Sequence, residues 1–220
     1  MLMVQLSLDP KKSPLKILCL GSHCDDIEIG CGGTLLNLIQ SRRGLIAVHW
    51  VVFSSTAERE DEAKHSAQAF LKGTRQKNVV IQHFEDSFFP YNGGEIKKFI
   101  QELSRGFSPD LIFTHYRNDL HQDHRLIAEL TWNAFRDHWI LEYEVPKYDG
   151  DLGSPNLFVP LTEAICHDKI GHIVRCYRSQ RRKKWFTKET FLSLHRLRGI
   201  ESNSASGYAE AFYCRKIVLG

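Results

Sequence analysis

The stretch from Leu15 to Gly33 constrains this chain most. An apolar run, Leu15-Lys16-Ile17-Leu18-Cys19-Leu20, leads into Gly21-Ser22-His23-Cys24-Asp25-Asp26-Ile27-Glu28-Ile29-Gly30-Cys31-Gly32-Gly33. Beyond it Leu35, Leu36, Leu38 and Ile39 recur at helical spacing. The stretch reads as strand, polar loop, helix, with an imidazole and two adjacent carboxylates at the C-terminal end of the strand. Open α/β sheets bind their ligands at that end. His23 and Asp26, three positions apart in one turn, can point at a single ion, and Asp25 between them must project elsewhere.

The rest of the chain repeats the alternation. Strands are expected over about 16–21, 45–54, 78–84, 110–114 and 140–145. Helices are expected over about 29–41, 58–71, 94–103, 125–135, 161–177 and 188–197. Residues 1–14 read as an irregular lead-in, 146–160 as a long loop, and 213–219 as a final strand or packed terminus. The pattern predicts one α/β domain over residues 1–220, Rossmann-like, with a mostly parallel twisted sheet and helices on both faces. In the common doubly wound order the first strand neighbours the second and the fourth, and a crevice opens between the first and fourth. A second string, His115-Tyr116-Arg117-Asn118-Asp119-Leu120-His121-Gln122-Asp123-His124, follows the fourth strand. Topology alone therefore brings the two strings together.

Composition matters mainly for what it excludes. A net charge of +3 gives no signal for a nucleic-acid partner, and no apolar run approaches the length of a membrane span. Six cysteines without a C-x-x-C pair argue for free thiols in a reducing compartment, and with no signal-peptide pattern the expectation is a cytoplasmic protein.

Catalytic zinc takes three protein ligands from His and Asp or Glu and keeps one position open. His23 and Asp26 supply two, and His124 or His121 the third. Fe²⁺ or Co²⁺ suits the same donor set. Asp25 is then the base toward water activated at the ion, and Asp123 is near enough to orient an imidazole. The other histidines, His115 among them, have no such partners in the sequence and read as surface or packing residues. Gly30-Cys31-Gly32-Gly33 departs from G-x-G-x-x-G, and the preceding carboxylates would repel a pyrophosphate. The glycines are better explained by close helix–strand approach.

With these residues in view, the chain resembles the PIG-L/LmbE-like family of zinc-dependent N-acetyl-sugar deacetylases. That family carries an A-H-P-D-D-E-x-x-G-x-G-G-type motif after the first strand and H-x-D-H after a later one. Their counterparts here begin at His23 and at His121, and the resemblance extends to about Gln180. It implies His23, Asp26 and His124 as metal ligands, Asp25 as general base, and His121 as oxyanion stabiliser held by Asp123. Arg59, in Arg59-Glu60-Asp61-Glu62, resembles an R-x-x-E whose Arg lies near substrate, and Asp86 resembles an acidic position that contacts sugar hydroxyls. The implied activity is removal of the acetyl group from an N-acetylglucosamine-like sugar or glycoconjugate, with His121 acting as imidazolium. The rival reading is a sugar- or nucleotide-binding module that keeps a structural metal.

The chain departs from the family pattern in two places. Cys24 stands where the family usually has Pro, which puts a thiol beside the ligands. Tyr177-Arg178-Ser179-Gln180 stands where many members have H-x-S-Q, so the Tyr177 phenol either donates to an oxyanion or packs. A basic run from Arg175 through Arg178, Arg181, Arg182 and Lys183 to Lys184 is either a solvated face or a contact for a phosphate-bearing substrate, with Arg181 and Arg182 the pair singled out.

Overall fold

A computed structural model describes residues 14–218. The lead-in before Pro14, and Leu219 in the tail, lie outside them. The seven strands among the described residues join one sheet, in the order β3-β2-β1-β4-β5-β7-β6. The strands are β1 (Leu15–Gly21), β2 (Ile46–Val52), β3 (Gln76–Ile81), β4 (Leu111–His115), β5 (Trp139–Tyr143), β6 (Leu157–Pro160) and β7 (Ala209–Cys214). The helices are α1 (Asp26–Ser41), α2 (Ala57–Phe70), α3 (Gly93–Gly106), α4 (Gln122–Ala134), α5 (Glu163–Cys176) and α6 (Lys188–Glu201). The first five strands are parallel, with β1 between β2 and β4 as the alternation requires.

Side chains alternate across each strand. Ile17, Cys19, Trp50, Val52 and Phe113 join one buried cluster with α1, α2 and α5. Leu18, Leu20, Val51, Phe53 and Ile112 join another with α3 and α4. The sheet is thus covered on both faces, as all-parallel strands require. Gly30 is where α1 comes closest to the sheet, since a Cβ there would sit 2.0 Å from the Tyr143 ring. Tyr143 in turn donates through its hydroxyl to the Leu20 carbonyl at 2.7 Å.

Two expectations need correction at the far edge. The loop read over residues 146–160 contains β6, a four-residue strand, and the final strand begins at Ala209 rather than Tyr213. Both pair antiparallel through β7. A short, half-exposed edge strand that ends in proline carries too little alternation to be read locally.

Two helices begin about one turn earlier than the sequence pattern suggests. α1 begins at Asp26 and α4 at Gln122, because Asp25 and His121 occupy the two N-cap positions. Asp26, Asp123 and His124 therefore lie in first helical turns, where backbone N–H groups favour negative charge.

Candidate active site

The C-terminal ends of β1 and β4 deliver the two strings to one cleft of about 270 Å³. Its lining includes His23, Asp25, Asp26, Arg59, Asp86, His121 and His124. Asp123, also assigned from sequence, sits fully buried just behind. A larger hollow of about 450 Å³ lies elsewhere, among Ala47, His49, Gln76, Asn78 and Phe107. Its lining has no comparable cluster of acids and imidazoles, which makes the smaller cleft the candidate site.

Three donor atoms converge in the cleft. His23 Nδ1 lies 3.2 Å from His124 Nε2 and 3.4 Å from Asp26 Oδ2, and His124 Nε2 lies 3.5 Å from Asp26 Oδ2. A tetrahedral ion with bonds of about 2.0–2.1 Å separates its ligands by roughly 3.3–3.4 Å. The triangle matches one face of that tetrahedron, so these residues fit a divalent ion.

Charge agrees with geometry. Burial and the neighbouring His115 push His124 down to about 3, so it is a neutral donor at pH 7. Burial opposes the charge on Asp26, yet the surrounding imidazoles hold it well below the usual carboxylate range. Burial also opposes protonation of His23, but Asp123, Asp26 and Asp86 outweigh it and raise this imidazole well above its ordinary value. One imidazole among three carboxylates marks a place that demands positive charge.

Asp25 faces a different task. One of its oxygens, Oδ1, accepts from Arg59 Nη2 at 2.7 Å, while Oδ2 is buried without a partner. Burial works against the Arg59 charge, but Asp25 together with Cys24, Asp26 and Tyr177 outweighs it and raises its pKa. Arg59 therefore grips the candidate base. Thr56 caps α2 by accepting from the Arg59 amide, which places Arg59 in the first turn of that helix.

His121 Nδ1 accepts from the Asp123 amide at 3.3 Å, which leaves the ring proton on Nε2. Burial and nearby His23 lower its pKa, which disfavours the imidazolium expected from sequence. A neutral ring with its proton on Nε2 is still a donor.

Asp123 does not hold His121 through its carboxylate. That group accepts from the amides of Ser87 and Phe89, at 2.7 and 3.2 Å, and lies 3.4 Å from His23 Nε2. It ties the loop carrying Asp86 to α4. Asp86 Oδ1 sits 3.0 Å from His23 Nε2, and that contact keeps Asp86 well below the usual range.

Sequence reasoning missed two residues of the cluster. His115 is fully buried, stacks on His124 with centroids 3.9 Å apart, and places Nε2 3.3 Å from Asp26 Oδ2. The same atom accepts from the Ser22 amide at 2.9 Å. Its position as the last residue of β4 was the available signal. Asp119 is the other. Its Oδ2 is 2.9 Å from His124 Nδ1, the outer-carboxylate place that orients a metal-ligating imidazole. Burial opposes its charge, but His124 and Lys147 hold Asp119 well below the usual range. Lys147 Nζ lies 3.0 Å from Asp119 Oδ1 and 2.6 Å from Asp151 Oδ2, so one cation braces this carboxylate and the loop after β5. Asp119→Asn should lower metal affinity about 10–100-fold at unchanged fold, measured by chelator competition with circular dichroism as control.

The two departures are settled by packing. Cys24 is fully buried, its Sγ 3.4 Å from the Ser54 carbonyl and 3.2 Å from Ser55 Oγ. Burial pushes the thiol up to about 11, and Cys24 belongs to none of the metal-competent clusters among the described residues. Cys24→Ser should leave metal content intact, and Co²⁺ substitution should give no sulfur-to-metal charge-transfer band; an intense band would place the thiolate among the ligands. Tyr177 is also fully buried, donating to the Cys24 carbonyl and to Glu28 Oε1, and burial pushes Glu28 up to about 8. The phenol packs beneath the site and does not line the cleft.

Comparison with known proteins finds relatives by sequence and by fold. A curated relative, the uncharacterized deacetylase YaiS of Escherichia coli (strain K12), is 26% identical over 137 residues, 60% of this chain and 74% of that protein. The N,N'-diacetylchitobiose deacetylase of Pyrococcus horikoshii shares the fold at a TM-score of 0.69 and 21% identity, over 90% of this chain and 82% of that one. The 4-carboxy-2-hydroxymuconate hydratase of Pseudomonas putida KT2440 shares it at 0.72 and 16% identity, over 93% and 98%. The family model for PIG-L, GlcNAc-PI de-N-acetylase, matches residues 18–135, more than half of the chain and both strings. The chain therefore belongs to the PIG-L family.

Proposed function

We propose that the protein is a zinc-dependent N-deacetylase that hydrolyses the acetamido group of an N-acetylglucosamine-like sugar or glycoconjugate, releasing acetate and an amino sugar. The observation that carries this reading is the donor triangle of His23, Asp26 and His124, with the half-free carboxylate of Asp25 in the same cleft. A divalent ion held by those three residues supplies Lewis acidity and acidifies water.

The chain's own groups do the rest. Asp25 Oδ2 accepts a proton from the attacking water as its oxygen bonds to the acetyl carbon. Arg59, on the other Asp25 oxygen, keeps that carboxylate aimed before the transfer. His121 donates from Nε2 to the carbonyl oxygen as it gains negative charge. Asp25 then returns its proton to the nitrogen as the C–N bond breaks, so the amine leaves neutral. Asp86, in the cleft with its side chain half-exposed, is the group we assign to sugar hydroxyls.

No helix among the described residues is long and apolar enough to cross a membrane. Six free cysteines suit a reducing compartment, and we place the protein in the cytoplasm on that ground. A screen of free, nucleotide-linked and lipid-linked N-acetyl sugars, read as free acetate before and after chelation, tests the function. Acetate release that chelation abolishes and Zn²⁺ restores is expected. A metal-loaded protein that binds a sugar and releases no acetate from any of the panel would leave the binding-module reading standing.

A further inference from the structure

The cleft continues beyond the reacting residues to an outer wall of Val145, Lys147, Tyr148, Asp149, Lys183 and Trp185. Its cations are not equivalent. Arg59 is paired with Asp25, and Lys147 is spent on Asp119 and Asp151, with Asp149 Oδ2 at 3.9 Å. Lys183 forms no ion pair with any carboxylate among the described residues, and its Nζ stands 5.5 Å from the centre of the Trp185 ring.

That ring is fixed. It packs edge-on against Phe186 and Phe191, at 5.6 and 6.4 Å between centroids. The turn carrying Lys183 is held by its amide on the Gln180 carbonyl at 2.9 Å and by the Phe186 amide on the Lys183 carbonyl at 3.0 Å. Across the cleft, the Tyr148 hydroxyl accepts from the Lys184 amide at 3.3 Å, which joins the loop after β5 to this turn.

The rest of the basic run is placed otherwise. Arg181 donates from Nε and Nη2 to the Val174 carbonyl near the end of α5, at 3.2 and 2.8 Å, and Arg175 Nη2 lies 2.8 Å from His172 Nδ1. Neither Arg181 nor Arg182 lines the cleft. The pair singled out from sequence therefore stands outside the cleft, and the run contributes one residue, Lys183, to its lining.

We infer that Lys183, perched on Trp185 and walled by Tyr148, forms an anion subsite that selects N-acetyl sugars bearing a phosphate group. This rests on the deacetylase reading for its substrate and deepens it. An unpaired ammonium on a cleft wall is a point charge suited to phosphate oxygens, and the aromatic face holds it without neutralising it. Lys183 is exposed, so its pull must weaken with salt.

The test uses the metal-loaded protein with N-acetylglucosamine 1-phosphate and the uncharged methyl glycoside of N-acetylglucosamine. Wild type should favour the phosphate by about tenfold in kcat/KM at low salt, the size of one charge-assisted contact. Lys183→Met should bring the ratio to near one, and added salt should do the same to wild type. Arg182→Ala should keep the preference. Calorimetric binding of the sugar phosphate gives a readout without turnover, and Lys183→Met should weaken it at least fivefold. Equal affinity of wild type and Lys183→Met, or a preference that survives Lys183→Met, overturns the subsite. Binding that depends on Lys183 with no acetate released overturns the deacetylase reading and leaves the subsite in place.

Discussion

Replacing Asp25 with Asn should lower kcat by roughly 10²–10⁴ while the metal stays bound. The substitution keeps the size of the side chain and removes its basicity. Among the described residues Asp25 belongs to none of the three metal-competent clusters, which are drawn from His23, Asp26, Asp86, His115, Asp119, His121, Asp123 and His124. Its Oδ1 is held by Arg59 and its Oδ2 is buried without a partner. A buried polar atom without a partner calls for an explanation, and a base awaiting a proton provides one. Steady-state kinetics with metal analysis on the same samples separates the two effects. Near-normal turnover in Asp25→Asn would remove Asp25 from the mechanism, and loss of metal would move it to the ligand set.

The second large effect is on the metal itself. Substituting Ala for His23, Asp26 or His124 should each reduce occupancy sharply from about one ion per chain and abolish turnover. Two donors cannot close a site that catalytic zinc fills with three. The overlapping clusters make this prediction sharp. His115 and Asp119 share His124 with one alternative, and Asp86, His121 and Asp123 share His23 with another. If the ion sits with Asp86, His121 and Asp123 instead, Asp26→Ala will retain it and Asp86→Ala will lose it. Elemental analysis of the purified variants decides between them.

These effects also show what the sequence made legible. The first four parallel strands were readable because each is followed by a helix, and β1, β2 and β4 are in addition runs of mostly buried side chains. The order around β1 followed from that alternation, and with it the meeting of His23 and Asp26 with His124. β6 was not readable, because its partner β7 lies far along the chain and its own residues are half-exposed. His115 was overlooked because a histidine ending an apolar strand looks like packing until the neighbouring strand places Asp26 beside it. Asp119 was overlooked because Asp123 offered a nearer carboxylate in the same string. Their roles depend on the N-cap at His121, which turns Asp123 back toward the amides of Ser87 and Phe89 and leaves His124 Nδ1 to Asp119. Lys183 illustrates the limit for charge runs, since six basic residues looked alike in sequence and only packing separates the one on the cleft wall.

The central claim is that water attacks an acetamide carbon in this cleft. The most direct measurement is hydrolysis of an N-acetyl sugar by the Zn²⁺-loaded protein in ¹⁸O-labelled water, with both products examined by mass spectrometry. The account predicts a single solvent oxygen in the acetate, an unlabelled amino sugar, and loss of both products in Asp25→Asn. Label appearing in the sugar, as glycosidic cleavage or addition of water across a double bond would give, or an acetyl group that remains attached, would contradict it.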